Sequence, residues 1–227
     1  MHSDHLASVR ARIAQACRKT GRDPAEVTLL AVSKLHPASA VEALYACGQR
    51  SFGENRLQEA LPKLDQLRDL EIDWHFIGPV QSNKTRDVAA RFDWVQSVDR
   101  EKILRRLATQ RPAGLPPLNV CLQVNIDHEP QKAGLEPAEL EEMTRLAEGL
   151  ERIRLRGLMC IPRLTTDRDA TRRSFAATRS LFQRLRASGH ALDTLSMGMS
   201  ADLELAIEAG STMVRVGTDL FGKRPDE

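Results

Sequence analysis

The sequence predicts an α/β protein that folds as a single closed (β/α)8 TIM barrel with an extra N-terminal helix. Eight short apolar segments alternate with helical patterns along the 227 residues, and barrels of this kind typically have about 250 residues. The first apolar segment, Val27–Ser33, lacks polar alternation, which is typical of a parallel strand covered on both faces. No linker or change of composition divides the chain, so residues 1–227 are expected to form one domain.

The extra helix is predicted over Ser3–Thr20. Its apolar residues recur at helical spacing, at Leu6, Val9, Ile13 and Cys17. After the first strand, Pro37 suits the first turn of a helix that runs to Cys47. The other predicted strands are Arg50–Gly53, Asp73–Ile77, Trp94–Val98, Leu118–Asn125, Leu155–Ile161, Thr194–Met197 and Met213–Gly217. The helical stretches between them begin near Asn55, Ser82, Arg100, Pro137, Asp169 and Ser200. Pro62 is expected to kink or end the helix that begins near Asn55.

An open doubly wound sheet is the alternative fold for such an alternation. That fold predicts a glycine-rich turn after the first strand, because its ligand phosphates lie against the turn backbone. Here the first strand ends in Ser33-Lys34-Leu35-His36 instead. The closed barrel is therefore favoured.

Composition excludes several classes of function. Lys and Arg total 33 against 31 Asp and Glu, so a net charge of +2 gives no electrostatic case for nucleic acid. No apolar run approaches the roughly 18 residues that span a bilayer, and the N-terminus lacks the order of a secretory signal. The 4 cysteines form no C-x-x-C pair, which argues against a disulfide framework or zinc site and favours the cytoplasm.

Two loops carry the features of a phosphate site. Ser196–Ser200 follows the seventh strand, and Gly217 and Thr218 follow the eighth, which is where barrels commonly bind phosphate. Glycines allow close backbone approach, hydroxyls donate hydrogen bonds, and a starting helix presents free N–H groups. Alone, Gly198 would be a turn residue and Ser200 a helix cap. Their occurrence on the expected pair of loops favours phosphate binding.

Lys34 lies at the end of the first strand, at the predicted barrel mouth. A lysine there often extends to solvent, but a desolvated amine can instead form a Schiff base with an aldehyde. Because the first and eighth strands adjoin in a closed barrel, a phosphorylated aldehyde would reach both Lys34 and the phosphate loops. Pyridoxal 5′-phosphate meets both requirements.

Arg215 is expected to point into the barrel, since Val214 and Val216 occupy the opposite face of the strand. There it would be either a structural ion-pair partner or a donor to the pyridine nitrogen. The second role keeps that nitrogen unprotonated, and this weakens the cofactor as an electron sink.

Motifs over nearly the whole chain point to a known family. They are Ala31–Lys34, Phe52–Arg56, Trp74–Gly78 with Gln81–Lys84, Arg156–Met159, Leu195–Ser200, and Val214–Thr218 with Phe221-Gly222. Together they resemble the YggS/PROSC family of pyridoxal-phosphate-binding homeostasis proteins. The resemblance implies a monomeric barrel of the alanine-racemase-like class (fold type III). It also implies a role in buffering and delivering the cofactor, with transient contact to apo-enzymes and no established turnover.

The same resemblance implies the contacts of each site residue. It assigns the internal aldimine to Lys34 and the ring-nitrogen contact to Arg215, and it places Asn55 near the ring. The phosphate contacts that it implies are Met199, Ser200, Gly217 and Thr218.

A racemase-like enzyme is the alternative function. A two-base racemase needs a second proton carrier, commonly a tyrosine in that class, but the single tyrosine, Tyr45, falls on the helix after the first strand. The chain also ends just after the barrel, so no second domain is expected. Cys160 falls at the end of the sixth strand and is a candidate acid there, but a small buried apolar role is favoured. His75 is expected to be a core histidine rather than a catalytic one.

Two further alternatives explain less of the sequence. A phosphosugar barrel would use the same loops but would leave Lys34 and Arg215 unexplained unless it formed a Schiff base with a sugar. An RNA-binding role would use Lys84 and Arg86 or the alternating arginines 152, 154 and 156. The alternation of those arginines with apolar residues instead predicts the start of a strand, on which the arginine side chains are solvated.

Overall fold

Eight parallel strands close into a barrel in the computed structural model, which describes residues 2–222. The strands follow one another around the barrel, and the last pairs with the first through Leu30 and Arg215. The strands are β1 (Thr28–Val32), β2 (Ser51–Glu54), β3 (Asp73–Phe76), β4 (Trp94–Val98), β5 (Leu118–Val124), β6 (Ile153–Cys160), β7 (Thr194–Ser196) and β8 (Met213–Val216). The predicted barrel is confirmed.

Helices cover the outside of the barrel. They are α1 (His2–Lys19), α2 (Ala38–Ala46), α3 (Leu57–Gln66), α4 (Thr85–Arg91), α5 (Glu101–Gln110), α6 (Leu140–Glu148), α7 (Arg168–Ala187), α8 (Leu203–Glu208) and α9 (Thr218–Phe221). Short 3-10 turns lie at Pro24–Glu26, Ser82–Lys84 and Pro137–Glu139. Strand side chains such as Phe52 and Val95 form one apolar cluster with these helices. Leu30 and Met213 are also buried, but they do not belong to this cluster. Among the described residues, no helix combines the length and apolar character needed to cross a membrane.

Helix α1 is the addition to the barrel, and it packs against α2, α8 and α9. Its buried stripe includes Leu6, Val9 and Ile13. Arg12 on its other side pairs with Glu204 of α8 at 2.7 Å and with Asp219 of α9 at 2.6 Å. The same guanidinium donates to the Ser200 carbonyl at 2.8 Å. The helix therefore braces the loops that follow β7 and β8.

Several predicted bounds differ from the structure by a few residues, and three differences affect the course of the chain. Helix α3 continues through Pro62 to Gln66, because the carbonyl that this proline leaves unpaired belongs to the exposed Gln58 in the first turn, where water can satisfy it. Strand β6 begins at residue 153 rather than 155. Helix α8 begins at Leu203 rather than near Ser200, and residues 200–202 form a turn.

Candidate functional site

A cavity of about 390 Å³ opens at the carboxyl ends of the strands. All seven site residues predicted from the sequence line it, namely Lys34, Asn55, Met199, Ser200, Arg215, Gly217 and Thr218. The wall also includes residues for which the sequence analysis gives no site role, namely Val32, His36, Ile77, Gly78, Pro79 and Ile161. These residues come from distant strands and the loops after them, so the site exists only when the barrel closes.

Lys34 lies two residues beyond β1, in a tight turn at the mouth. The turn is closed by a hydrogen bond of 3.1 Å from the His36 N–H to the Ser33 carbonyl. Leu35 adopts a φ of 64° there, a left-handed conformation that is strained for a residue other than glycine. The His36 ring stacks on Phe221 at 4.7 Å. The turn thus holds Lys34 over the cavity next to α9.

A buried ion pair lies behind this turn, between the barrel wall and α3. Lys63 Nζ donates to Glu54 Oε1 at 2.5 Å and to the Ser33 carbonyl at 2.8 Å. Ser33 Oγ donates to the same carboxylate oxygen at 2.6 Å. Burial is the largest effect on Glu54 and raises its pKa, against the lowering effect of Lys63. The pair joins the ends of β1 and β2, directly beside Lys34 and Asn55.

Arg215 reaches the base of the cavity from β8 and is only 4% exposed. Its Nη1 donates to Ser196 Oγ at 2.7 Å, and its Nη2 donates to the Cys160 carbonyl at 2.9 Å. Among the residues that the structure describes, no carboxylate pairs with it, so the ion-pair alternative is not realised. Burial lowers its pKa, and the nearby Asp202 charge opposes that shift. A buried cation without a paired anion favours a ligand that carries negative charge.

The loop after β7 is shaped by Gly198, which has a φ of 96° and where an added Cβ would lie 2.4 Å from Ala206 Cβ. The Met199 N–H, expected to be free for phosphate, instead donates to Asp202 Oδ1 at 2.6 Å. This bond replaces the helix start predicted at Ser200. Burial raises the pKa of Asp202, partly offset by that same N–H. After β8, Gly217 lies where a Cβ would be 3.4 Å from the Val32 carbonyl oxygen.

Asn55 follows β2 and presents a buried side-chain oxygen, Oδ1, that lacks a hydrogen-bond partner among the described atoms. Its backbone carbonyl oxygen lies 2.0 Å from the position that a Cβ on Gly78 would occupy. Any larger residue at 78 would therefore displace Asn55. A glycine at the end of a Trp-His-Phe-Ile strand is the signal that could have identified Gly78 from the sequence.

The two candidate proton carriers do not reach the cavity as acids. Tyr45 lies on α2, where the Arg50 guanidinium sits 4.0 Å from its ring centroid, and it is absent from the cavity wall. Cys160 is fully buried, and burial raises the pKa of its thiol to about 11. Its contribution to the site is the carbonyl that binds Arg215.

His75 is a core histidine, as predicted. It is 1% exposed, its Nδ1 lies 2.9 Å from Gln96 Nε2, and its ring stacks on Trp94 at 4.9 Å. Burial, helped by the Arg156 charge, lowers its pKa to about 3. The amino-end cavity beside it is lined by Asp73, Arg156 and Asp193.

We expect His75 to destabilise the fold in acid. The unfolded histidine takes up a proton near its ordinary pKa of 6.5 and the folded one only near pH 3, so stability falls as the pH drops between these values. The slope is about 1.4 kcal/mol per pH unit for this group. Chemical denaturation of the wild type and of His75→Asn from pH 7 to 4 measures it. The wild type should lose more stability than the variant, and parallel curves would contradict the assignment.

This chain is similar to several known proteins over nearly its whole length. The family of alanine racemase N-terminal domains matches residues 5–225. A pyridoxal phosphate homeostasis protein of Pseudomonas aeruginosa is 56% identical over 222 residues, which cover 98% of this chain and 95% of that protein. The chain belongs to the family of pyridoxal phosphate homeostasis proteins. The member from Escherichia coli is 49% identical over 226 residues, covering 97% of this chain and 95% of the relative.

Solved structures extend the comparison for this family. PipY of Synechococcus elongatus, in a structure with PLP bound, is 40% identical and superposes with a TM-score of 0.86, covering 98% of this chain and 100% of PipY. Alanine racemase from Corynebacterium glutamicum has a TM-score of 0.71 at 18% identity, with 98% of this chain and 62% of the racemase covered. The racemase therefore shares the barrel fold with the pyridoxal phosphate homeostasis proteins.

Proposed function

We propose that this protein binds pyridoxal 5′-phosphate and serves in its intracellular homeostasis. The observation that carries the proposal is the meeting of an amine, a buried guanidinium without a paired carboxylate among the described residues, and two glycine-containing loops in one cavity. A phosphorylated pyridine aldehyde presents a matching group to each of these. The 40% identity to PipY, whose structure has PLP bound, supports the same ligand.

Each residue has a distinct part in the proposed complex. The neutral amine of Lys34 attacks the aldehyde carbon, and a C=N bond replaces C=O as water leaves. Arg215 donates to the ring nitrogen. Asn55 lies near the ring, where its buried Oδ1 is available as a hydrogen-bond acceptor. The phosphate lies against Met199, Ser200, Gly217 and Thr218. When bound, the cofactor supplies the aldehyde for this covalent attachment.

Storage and delivery, rather than turnover, is the proposed role. A guanidinium at the ring nitrogen opposes carbanion chemistry, and neither Tyr45 nor the Cys160 thiol is placed to carry a proton. The racemase-like enzyme is the second candidate, favoured only by the shared fold. An assay of the loaded protein against a panel of amino acids separates the two. Saturable turnover that is lost in Lys34→Ala would replace the storage role.

We propose further that the protein acts as a cytoplasmic monomer, with residues 1–227 as one cofactor-binding domain, and that it touches apo-enzymes transiently. The apolar side chains of Ile161 and Met199 border the cavity and are 38% and 40% exposed. Leu164, in the loop after β6, is 95% exposed. Exposed apolar groups around a ligand site support such contacts.

Borohydride reduction of the purified protein with pyridoxal 5′-phosphate, followed by peptide mass spectrometry, tests the function directly. Reduction converts a Schiff base into a stable secondary amine. We expect one pyridoxyl-phosphate adduct, on the peptide that contains Lys34. A protein that neither absorbs in the visible region nor gains this mass with excess ligand would refute the proposal.

Arg215→Met is expected to lower ligand affinity with little change in stability. The substitution removes a buried charge that lacks a paired carboxylate, which favours the fold, and breaks the bonds to Ser196 and the Cys160 carbonyl, which opposes it, so the stability of the cofactor-free protein should change by less than about 1 kcal/mol. The Kd for pyridoxal 5′-phosphate should rise about a hundredfold, because a charge-assisted donor is lost. Denaturant titration and absorbance titration measure the two effects.

Arg111→Met is the matched control for Arg215→Met. Arg111 is also buried, at 6% exposed, but it donates to the carbonyls of Ala89, Phe92 and Pro116. We expect this control to lose stability and to keep its affinity for the ligand. Equal losses of stability in both variants would show that the Arg215 charge is compensated in the free protein.

A further inference from the structure

A chain of buried hydrogen bonds crosses the barrel interior beneath the cavity. It starts at Arg215 on β8 and passes to Ser196 on β7 at 2.7 Å. Ser196 Oγ is bonded to Gln96 Oε1 on β4 at 2.6 Å, and Gln96 Nε2 lies 2.9 Å from His75 Nδ1 on β3. Ser196 and Gln96 are both fully buried. Four polar side chains thus replace the apolar filling usual for a barrel of this kind.

The direction of each bond in this chain follows from Arg215 together with the side-chain amide of Gln96. A guanidinium only donates hydrogen bonds, so Ser196 Oγ accepts from Arg215, and because the Gln96 oxygen faces Ser196, the serine donates its single hydrogen to Gln96 Oε1. The Gln96 amide nitrogen then faces His75 Nδ1 and, at 3.1 Å, the Met213 sulfur. His75 Nδ1 therefore accepts, and the ring proton of the neutral imidazole lies on Nε2.

The far end of the chain is anchored at the amino end of the barrel. The His75 ring stacks on Trp94 with an interplanar angle of 13°. The Arg156 guanidinium lies over the Trp94 ring, 4.4 Å from the ring centroid, and forms a salt bridge of 2.9 Å with Asp193. Full burial and the positive charge of Arg156 both keep His75 neutral. A neutral imidazole with its proton on Nε2 accepts the hydrogen bond from Gln96 Nε2 at Nδ1, which a doubly protonated ring could not do.

We propose that Ser196, Gln96 and His75 are positioning residues that hold the Arg215 guanidinium in one orientation at the base of the cavity. Their fixed polarity leaves Ser196 Oγ as an acceptor for Nη1, while the Cys160 carbonyl binds Nη2. These two contacts fix the plane of the Arg215 guanidinium, and its other N–H groups are available to the ligand. The inference rests on the proposed function, since it takes the ligand to be pyridoxal 5′-phosphate.

Paired substitutions test this role. Ser196→Ala and Gln96→Met each break the chain, whereas Ser196→Thr keeps the hydroxyl. Ser211→Ala and Gln49→Met are matched controls, because Ser211 and Gln49 are buried and hydrogen-bonded to backbone carbonyls apart from the chain. For each protein, the Kd for pyridoxal 5′-phosphate, the absorption spectrum of the bound ligand against pH, and the thermal midpoint are measured.

We expect Ser196→Ala and Gln96→Met to raise the Kd about tenfold, the effect of one hydrogen bond to a charged group. The pH titration of the bound ligand's spectrum should also shift, because contact with the ring nitrogen changes. Ser196→Thr should restore both properties. The controls should lower the thermal midpoint without changing either. If Ser196→Ala binds with unchanged Kd and spectrum, the positioning role is refuted.

A measurement on the cofactor-free wild type keeps the inference testable even where a variant does not fold. Nitrogen-15 NMR of the histidine side chains should show His75 with an unprotonated Nδ1 and a protonated Nε2 at pH 7. A protonated Nδ1 would overturn the proposed polarity of the chain. Failure of the wild type to bind pyridoxal 5′-phosphate would instead overturn the proposed function and leave this tautomer result standing.

Discussion

Lys34→Ala is expected to abolish the borohydride-trapped adduct and to raise the Kd for pyridoxal 5′-phosphate by at least a hundredfold. Lys34 is the only lysine among the residues that line the described cavity. Without it the ligand keeps only its noncovalent contacts, and these also lose the positive charge of the amine. Lys34 is partly exposed at the mouth, so its removal should change the free energy of unfolding by less than about 1 kcal/mol.

Two companion variants separate covalent from electrostatic binding. Lys34→Arg keeps the charge but has no primary amine, so noncovalent affinity should partly return while the trapped adduct stays absent. Lys102→Ala removes an exposed amine on α5 and should bind like the wild type. Mass spectrometry of the reduced proteins and equilibrium dialysis supply both readouts. An adduct that persists in Lys34→Ala would assign the attachment to another lysine and defeat the proposal.

The barrel and its ligand-facing loops were predictable because they depend on local patterns. The uninterrupted apolar, β-branched run at β1 predicts a strand that is buried on both faces. The two-residue spacing of Met213, Arg215 and Gly217 predicts which side chains of the last strand point into the barrel. Chain closure then fixes which strand ends meet, and the cavity includes every residue predicted on those ends. The charge environment of Arg215 could not be predicted in this way, because the positions of carboxylates across a barrel are not encoded in local spacing.

The parts that the sequence did not predict depend on contacts between distant segments. The Asp202 carboxylate accepts from the Met199 N–H, and Arg12 of the distant helix α1 donates to the Ser200 carbonyl in the same turn. The hydrogen-bond chain from Arg215 to His75 joins residues more than a hundred positions apart. No sequence motif indicates this chain of hydrogen bonds, because a serine or a glutamine on a strand is equally typical of a solvent-facing position.

Lys63→Met is expected to lower the free energy of unfolding by about 3–5 kcal/mol, because removing one partner leaves a buried charge. Glu54 is fully buried, and its Oε2 atom already lacks a hydrogen-bond partner among the described residues. Methionine fills a similar volume, so the loss reports the charge rather than a cavity. The end of β1 also loses the bond from Lys63 Nζ to the Ser33 carbonyl, next to the attachment lysine.

The pH dependence of this loss identifies its cause. Burial raises the pKa of Glu54 above its ordinary value of 4.5, and the removal of Lys63 raises it further. An acid whose pKa is raised in the folded state destabilises the fold increasingly as the pH rises above its unfolded pKa. The deficit of Lys63→Met should therefore be smaller at pH 5 than at pH 8, and urea denaturation at both values measures it. The double variant Lys63→Met/Glu54→Gln should recover most of the stability at pH 8, whereas a deficit that is equal at both pH values would point to lost packing instead.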